Sequence, residues 1–112
     1  MEEIKFFSKD DLKVKLILKS SQLRAVAHDH VMMTLFDFGP DDPVIPGHHH
    51  THEQITYILK GSVRMVSGEK SQILKAGQGA IIPPDVEHEV YALEEDTQAL
   101  DIFYPLREDY LS

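Results

Sequence analysis

Four of the seven histidines in this 112-residue chain fall within five positions, in the run Pro46-Gly47-His48-His49-His50-Thr51-His52-Glu53-Gln54. A neutral imidazole offers a nitrogen lone pair to a divalent ion at about 2.1 Å. On a strand, His48 and His50 point the same way, roughly 6.6 Å apart at ~3.3 Å per residue, so both can reach one ion. Gln54 has the same parity and can add a carbonyl oxygen. A fourth ligand must come from elsewhere, and His88 in IPPDVEHEV, beside a proline-stiffened turn, is the candidate. The spacing therefore predicts one divalent metal ion at His48, His50, Gln54 and His88. His52 shares the even parity, so a set of His50, His52 and Glu53 remains open, while His49 is expected to point outward. A solvated histidine loop that takes up metal only adventitiously is the plainer alternative. A cloning tag would sit at a terminus, not between a Pro-Gly turn and a strand. His28 and His30 repeat the i, i+2 spacing and are read as surface or satisfied core residues.

Such ligands need a stiff frame. Short β-prone runs recur along the chain, with Gly, Pro or Asp between them: LKVKLIL, QLRAVAH, VMMTLFDF, EQITYILKG, SVRMVSG, SQILKAG, GAIIPP, HEVYAL and QALDIFYP. Regular short strands with turn residues predict an all-β sandwich or barrel. Helix is limited to one turn near Ser8–Leu12, where Ser8 can cap and acidic residues follow. From Gln54 to Leu59 the side chains alternate. Gln54, Thr56 and Ile58 share one face and Ile55, Tyr57 and Leu59 the other; one face would line the barrel and the other would meet a second sheet or a second subunit.

Composition closes off other classes. The chain is one domain long, with 42% hydrophobic and 27% charged residues. With no cysteine, disulfides, thiolate zinc sites and thiol catalysis are excluded. A formal net charge of −8 argues against nucleic acid as a partner. An anionic ligand would need a local cation to overcome that field. No apolar run approaches the ~20 residues that span a bilayer. MEEIKFFSKDD carries acidic residues where a secretory signal would be basic. The expected home is the cytoplasm, with no membrane partner. A domain of this size also gains from self-association, and a homodimer is expected.

Gly47, His48-x-His50, Gln54 after three residues and Gly61 after six more resemble the first cupin motif. Gly77, Pro83 after five residues and His88 after four more resemble the second. The resemblance implies a cupin jelly-roll β-barrel over residues 21–112, with residues 1–20 as an added strand or turn. Three positions depart from the usual motifs: Gln54 stands where glutamate is usual, Asp85 where glycine is, and Ala92 where asparagine is. A neutral Gln54 leaves a bound divalent ion its full charge, which favours Lewis-acid over redox chemistry.

HxHxHEQ, the IPPDVEHEV loop and the closing DIFYPLREDYL look like the KdgF-type pectin-degradation cupins, over roughly residues 22 to 111. That resemblance implies a metal-dependent conversion of 4,5-unsaturated uronate monosaccharides, from pectin or alginate breakdown, to linear keto acids. It makes His48, His50, Gln54 and His88 ligands of a Ni, Zn, Mn, Fe or Co ion. Asp101 becomes the catalytic carboxylate, Arg107 the group that binds the substrate carboxylate, and Phe103 a wall of the pocket. Strand parity agrees, placing Asp101 and Phe103 on one face with Leu100, Ile102 and Tyr104 on the other. An aspartate pointing into a barrel is expensive unless paired or functional. Arg24 is a further anion contact to weigh, with a solvated arginine the plainer reading. Competing functions are a cupin dioxygenase or lyase on another small acid, and a non-catalytic binder of sugar or metal.

Overall fold

The computed structural model describes residues 3–42, 44–48 and 50–111, with Pro46, Gly47 and His48 described by their backbone alone. Ten strands and two short 3-10 turns follow in order. They are η1 (Lys9–Asp11), β1 (Val14–Ile17), β2 (Ser21–Ala27), β3 (Met32–Asp37), β4 (Val44–His48) and β5 (Glu53–Lys60). After these come β6 (Ser62–Ser67), β7 (Lys70–Lys75), β8 (Gly79–Ile82), β9 (His88–Ala92), β10 (Gln98–Tyr104) and η2 (Glu108–Tyr110). All pairings are antiparallel. One sheet runs β1-β2-β3-β10-β5-β8 and the other β4-β9-β6-β7, and the two face each other as a jelly-roll barrel.

Nine strands follow the β-prone runs of the sequence. The tenth, β4, was not expected, because its residues VIPGH contain a proline and a glycine that normally break a strand. It survives with an irregular register against β9 between Ile45 and His48, where a bulge relieves the missing N–H of Pro46. The capped turn is present as η1, with the Asp11 carboxylate accepting from the Ser8 N–H at 2.8 Å.

Alternation decides what lines the barrel. β5 reads exposed, buried, exposed, buried from Glu53 onward, so the two faces alternate as expected and Gln54, Thr56 and Ile58 are the set that points inward. β3 buries Met32, Thr34 and Phe36, and β10 buries Ala99 and Phe103 with Asp101 between them on the same side. The expected cover on the other face of β5 is not supplied by a second sheet of this chain. Ile55, Tyr57 and Leu59 stand 48%, 45% and 40% exposed, and Ile102, Ile55 and Ile81 lie in register across three strands of that face.

The interior is graded along its axis. At one end Ile58, Val63, Leu74 and Ala99 form an apolar core, with Phe38, Met65, Ala80 and Val90 packed on it. Gly61 makes the tight turn from β5 to β6 there. Its φ is +76°, and a Cβ would lie 2.3 Å from Thr97 Oγ1, so no side chain fits. At the other end the strands run out into loops, and the inward residues become polar.

Candidate metal centre

Registry builds this polar end. Phe103 on β10 pairs with Gln54 on β5, and Asp101 pairs with Thr56 on one side and Thr34 on the other. Their side chains, alternating inward, meet where β9 opens with His88, only 3% exposed. The chain between β4 and β5 brings His50 to the same place. The Asp85 N–H donates to the His50 carbonyl at 2.7 Å, tying this link to the β8–β9 turn. Asp85 sits at φ +61°, a left-handed conformation that aspartate tolerates better than most residues. Replacement of the usual glycine therefore leaves the turn intact.

The expectation that His48 and His50 lie on one strand face is not carried by a described strand. β4 ends at His48 and His50 follows outside it, so the i, i+2 parity argument does not apply. The His48 backbone pairs with His88, while its side chain and all of His49 lie outside the described residues. Glu53 faces outward, which removes it from the alternative set. The His52 ring lies 5.4 Å from that of His50, and its Nδ1 is buried with no hydrogen-bond partner among the described residues.

The donor pattern at His50 fits a cation. Its Nδ1 lies 2.9 Å from the His52 carbonyl oxygen, which only accepts, so Nδ1 carries the proton. A neutral ring then turns its Nε2 lone pair toward Gln54 Oε1, 2.9 Å away. That Gln54 oxygen is fixed in place, because the amide's Nε2 donates to Thr56 Oγ1 at 2.9 Å and Asp101 Oδ1 at 3.1 Å. In the neutral ring these two acceptors repel unless a cation joins them, whereas in the imidazolium Nε2–H donates to the amide oxygen. The same tautomer recurs at His88, where Nδ1 lies 2.9 Å from the Val86 carbonyl and the proton again resides on Nδ1. The His50 and His88 rings cross at 84°, 5.6 Å apart. Imidazole Nε2 atoms oriented by backbone carbonyls, with an amide oxygen beside them, match the ligation expected of a divalent ion.

Behind this cluster lies a cavity that reaches from Ile58 and Val63 up to His88, Asp101, Phe103 and Arg107. Asp101 Oδ1 accepts from Thr56 at 2.6 Å as well as from Gln54. Burial pushes the Asp101 carboxyl above the usual carboxylate range, while Thr56, Gln54 and the charge of Arg107 pull it down. At the mouth, Arg107 Cζ lies 5.4 Å from the Phe103 ring centre and 3.9 Å from that of Tyr110. Thus Asp101, Phe103 and Arg107 share one cavity with Gln54 and His88. Arg24 does not belong to it, being paired instead with Asp37 at 3.4 Å.

Residues 34–103 match the cupin domain family. This chain is a cupin. The cupin is 32% identical over 102 residues to the pectin degradation protein KdgF of Dickeya dadantii, covering 91% of this chain and 86% of that one. It belongs to that protein's family. Among solved structures it resembles KdgF from a Halomonas species, at 28% identity and a TM-score of 0.84, over 94% of this chain and 98% of the other. An RmlC-like cupin from Shewanella frigidimarina, at 22% identity, has the same fold, with a TM-score of 0.84 over 96% of each chain.

Two polar residues of the cavity were given no role by the sequence reading. Thr56 was grouped with Gln54 and Ile58 on one strand face but given no role, although it holds Asp101. Tyr110 was not singled out. Its place was readable from Arg107-x-x-Tyr110, since residues three apart lie on the same side of a 3-10 turn. Burial pushes the Tyr110 phenol up, with Arg107 opposing and Asp101 and Asp109 adding to the rise.

Proposed function

We propose that this cupin opens 4,5-unsaturated uronate monosaccharides, released from pectin or alginate, to their linear keto acids. One observation carries the reading. Gln54, His88, the desolvated Asp101 carboxyl and Arg107 line one pocket, with His50 against Gln54, in a relative of the pectin degradation protein KdgF. The reaction is an isomerisation. The C1–O5 bond of the cyclic form breaks, the anomeric hydroxyl gives up its proton to leave an aldehyde, and C4 gains a proton as the C5 enol becomes a ketone. Nothing is oxidised and no atom is lost.

His48, His50, Gln54 and His88 would hold a divalent ion, with Ni, Zn, Mn, Fe and Co all suited to the set. When bound, that ion supplies a Lewis acid to an oxygen of the sugar. The chain's own residues do the rest. Arg107 pairs with the sugar carboxylate through charge-assisted N–H···O bonds and supplies the local cation that a chain of net charge −8 needs. Phe103, 2% exposed, forms an apolar wall against the ring and excludes water. Asp101 moves the proton. Its Oδ1 accepts from Thr56 and Gln54, which fixes the orientation of the carboxyl for proton transfer. A cysteine-free chain suits the reducing cytoplasm, where monosaccharide breakdown products are consumed.

The second subunit expected from the sequence would cover the row Ile102, Ile55 and Ile81, together with Tyr57 and Leu59, giving a homodimer. An exposed apolar stripe on a well-ordered sheet supports that arrangement.

Elemental analysis of untagged protein tests the metal part directly. About one equivalent per chain is expected, and His48→Ala combined with His88→Ala should abolish it. Unchanged metal content in that double variant would remove the site. Chelation should abolish ring opening, and divalent metal should restore it.

A further inference from the structure

We propose that Tyr110 is a positioning residue: with Asp109 it clamps Arg107 so that the free edge of the guanidinium faces the cavity. The inference rests on the reading of Arg107 as the carboxylate-binding group and adds what holds it there.

The clamp is built by the turn after β10. Arg107 is the N-cap of η2, and three residues per turn bring Tyr110 back over it. The guanidinium carbon sits 3.9 Å from the Tyr110 ring centre, well within cation–π range. Phe103 approaches the same group at 5.4 Å and meets Tyr110 edge to face at 5.9 Å, so two rings form an elbow around one cation. Asp109 takes the side edge of the fork, with Nε and Nη2 donating to its two oxygens at 3.4 and 3.0 Å. The end-on edge, Nη1 with the second N–H of Nη2, is left for a carboxylate in the cavity. The turn itself is tied down, because the Lys15 ammonium donates to the Asp109 carbonyl.

An arginine on a flexible stem loses rotamer freedom each time it grips a ligand. Holding it in place beforehand therefore strengthens binding without touching the reacting atoms. Loss of the ring should appear in KM and not in kcat.

The test uses zinc-loaded protein and unsaturated galacturonate. Tyr110→Leu should raise KM about tenfold, within the range a partly desolvated cation–π contact carries, with kcat nearly unchanged. Tyr110→Phe keeps the ring face and should restore KM. Independently of substrate, the Arg107 Nε–H resonance should be protected from exchange in the parent and in Tyr110→Phe, and should lose that protection in Tyr110→Leu. A parental KM in Tyr110→Leu, alongside a raised KM in Arg107→Ala, would overturn the clamp and leave the function standing. If Arg107→Ala leaves KM unchanged, the assigned role of Arg107 falls. The resonance then decides alone, and an unaltered Nε–H in Tyr110→Leu overturns the clamp.

Discussion

Replacing Thr56 with valine removes one oxygen from the site while keeping its shape, which makes it the sharpest probe of how Asp101 is held. Thr56 is 5% exposed and donates to Asp101 Oδ1 at 2.6 Å, a short contact of the charge-assisted kind. Such bonds contribute roughly 1.5–3 kcal/mol. Valine fills the same volume, and the Gln54 amide that loses Thr56 as an acceptor keeps Asp101 at 3.1 Å. The fold should therefore lose only about 1–2 kcal/mol. If the bond's main effect is to orient the carboxylate for proton transfer, its loss appears in the barrier. At 1.36 kcal/mol per factor of ten, kcat should fall about 10- to 100-fold. The metal ligands are untouched, so metal content should match the parent, and Thr56→Ser should recover most of the rate. Decay of the double-bond absorbance of unsaturated galacturonate gives kcat, elemental analysis gives metal content, and calorimetry gives stability. A parental kcat in a folded, metal-loaded Thr56→Val protein would refute the claim that Thr56 orients a working Asp101. Loss of metal along with activity would show that Thr56 acts through Gln54 instead.

Asp101→Asn should retain metal and fold but lose roughly 10²–10⁴-fold in kcat, whereas Arg107→Ala should act chiefly on KM; steady-state kinetics on both variants separates the two roles. Asp42 predicts an acid limit to stability. Desolvation pushes its carboxyl up, but the backbone N–H groups of Ser20, Lys19 and Ser21 overcome this and bring it down to about 2 from 3.8. A group depressed on folding stabilises above its unfolded pKa, so this contribution is present above pH 3.8 and is lost as pH falls toward about 2. Asp42→Asn should flatten the pH dependence of the melting temperature in that window. For the outer face, light scattering should show twice the mass of one chain at micromolar concentration, and Ile55→Lys with Ile81→Lys should halve it; a monomeric parent would contradict the dimer.

Alternation made much of this site legible in the sequence. On β5 and β10 the period of two grouped Gln54 with Thr56 and Asp101 with Phe103, and the registry of the sheet brings the two groups together in the interior. The same rule does not reach His50. A strand was extended through both, whereas β4 ends at His48 and His50 is held by a long-range bond from Asp85. Periodicity describes a continuous strand and carries no information about a link fixed by a distant turn. β4 itself was hidden by Pro46 and Gly47, because local propensity cannot anticipate the pairing with β9 that overrides it. Tyr110 was missed because a three-residue 3-10 turn leaves almost no pattern, although the Arg-x-x-Tyr spacing foreshadowed the stack.

Ring opening itself is the most direct test. The metal-loaded protein is mixed with unsaturated galacturonate, and loss of the C4 vinyl proton is followed by NMR beside a protein-free control and Asp101→Asn. The linear keto acid should form far faster than it does spontaneously, with Asp101→Asn close to the protein-free rate. A parent rate no greater than the spontaneous one would contradict the assignment of this site to unsaturated uronates.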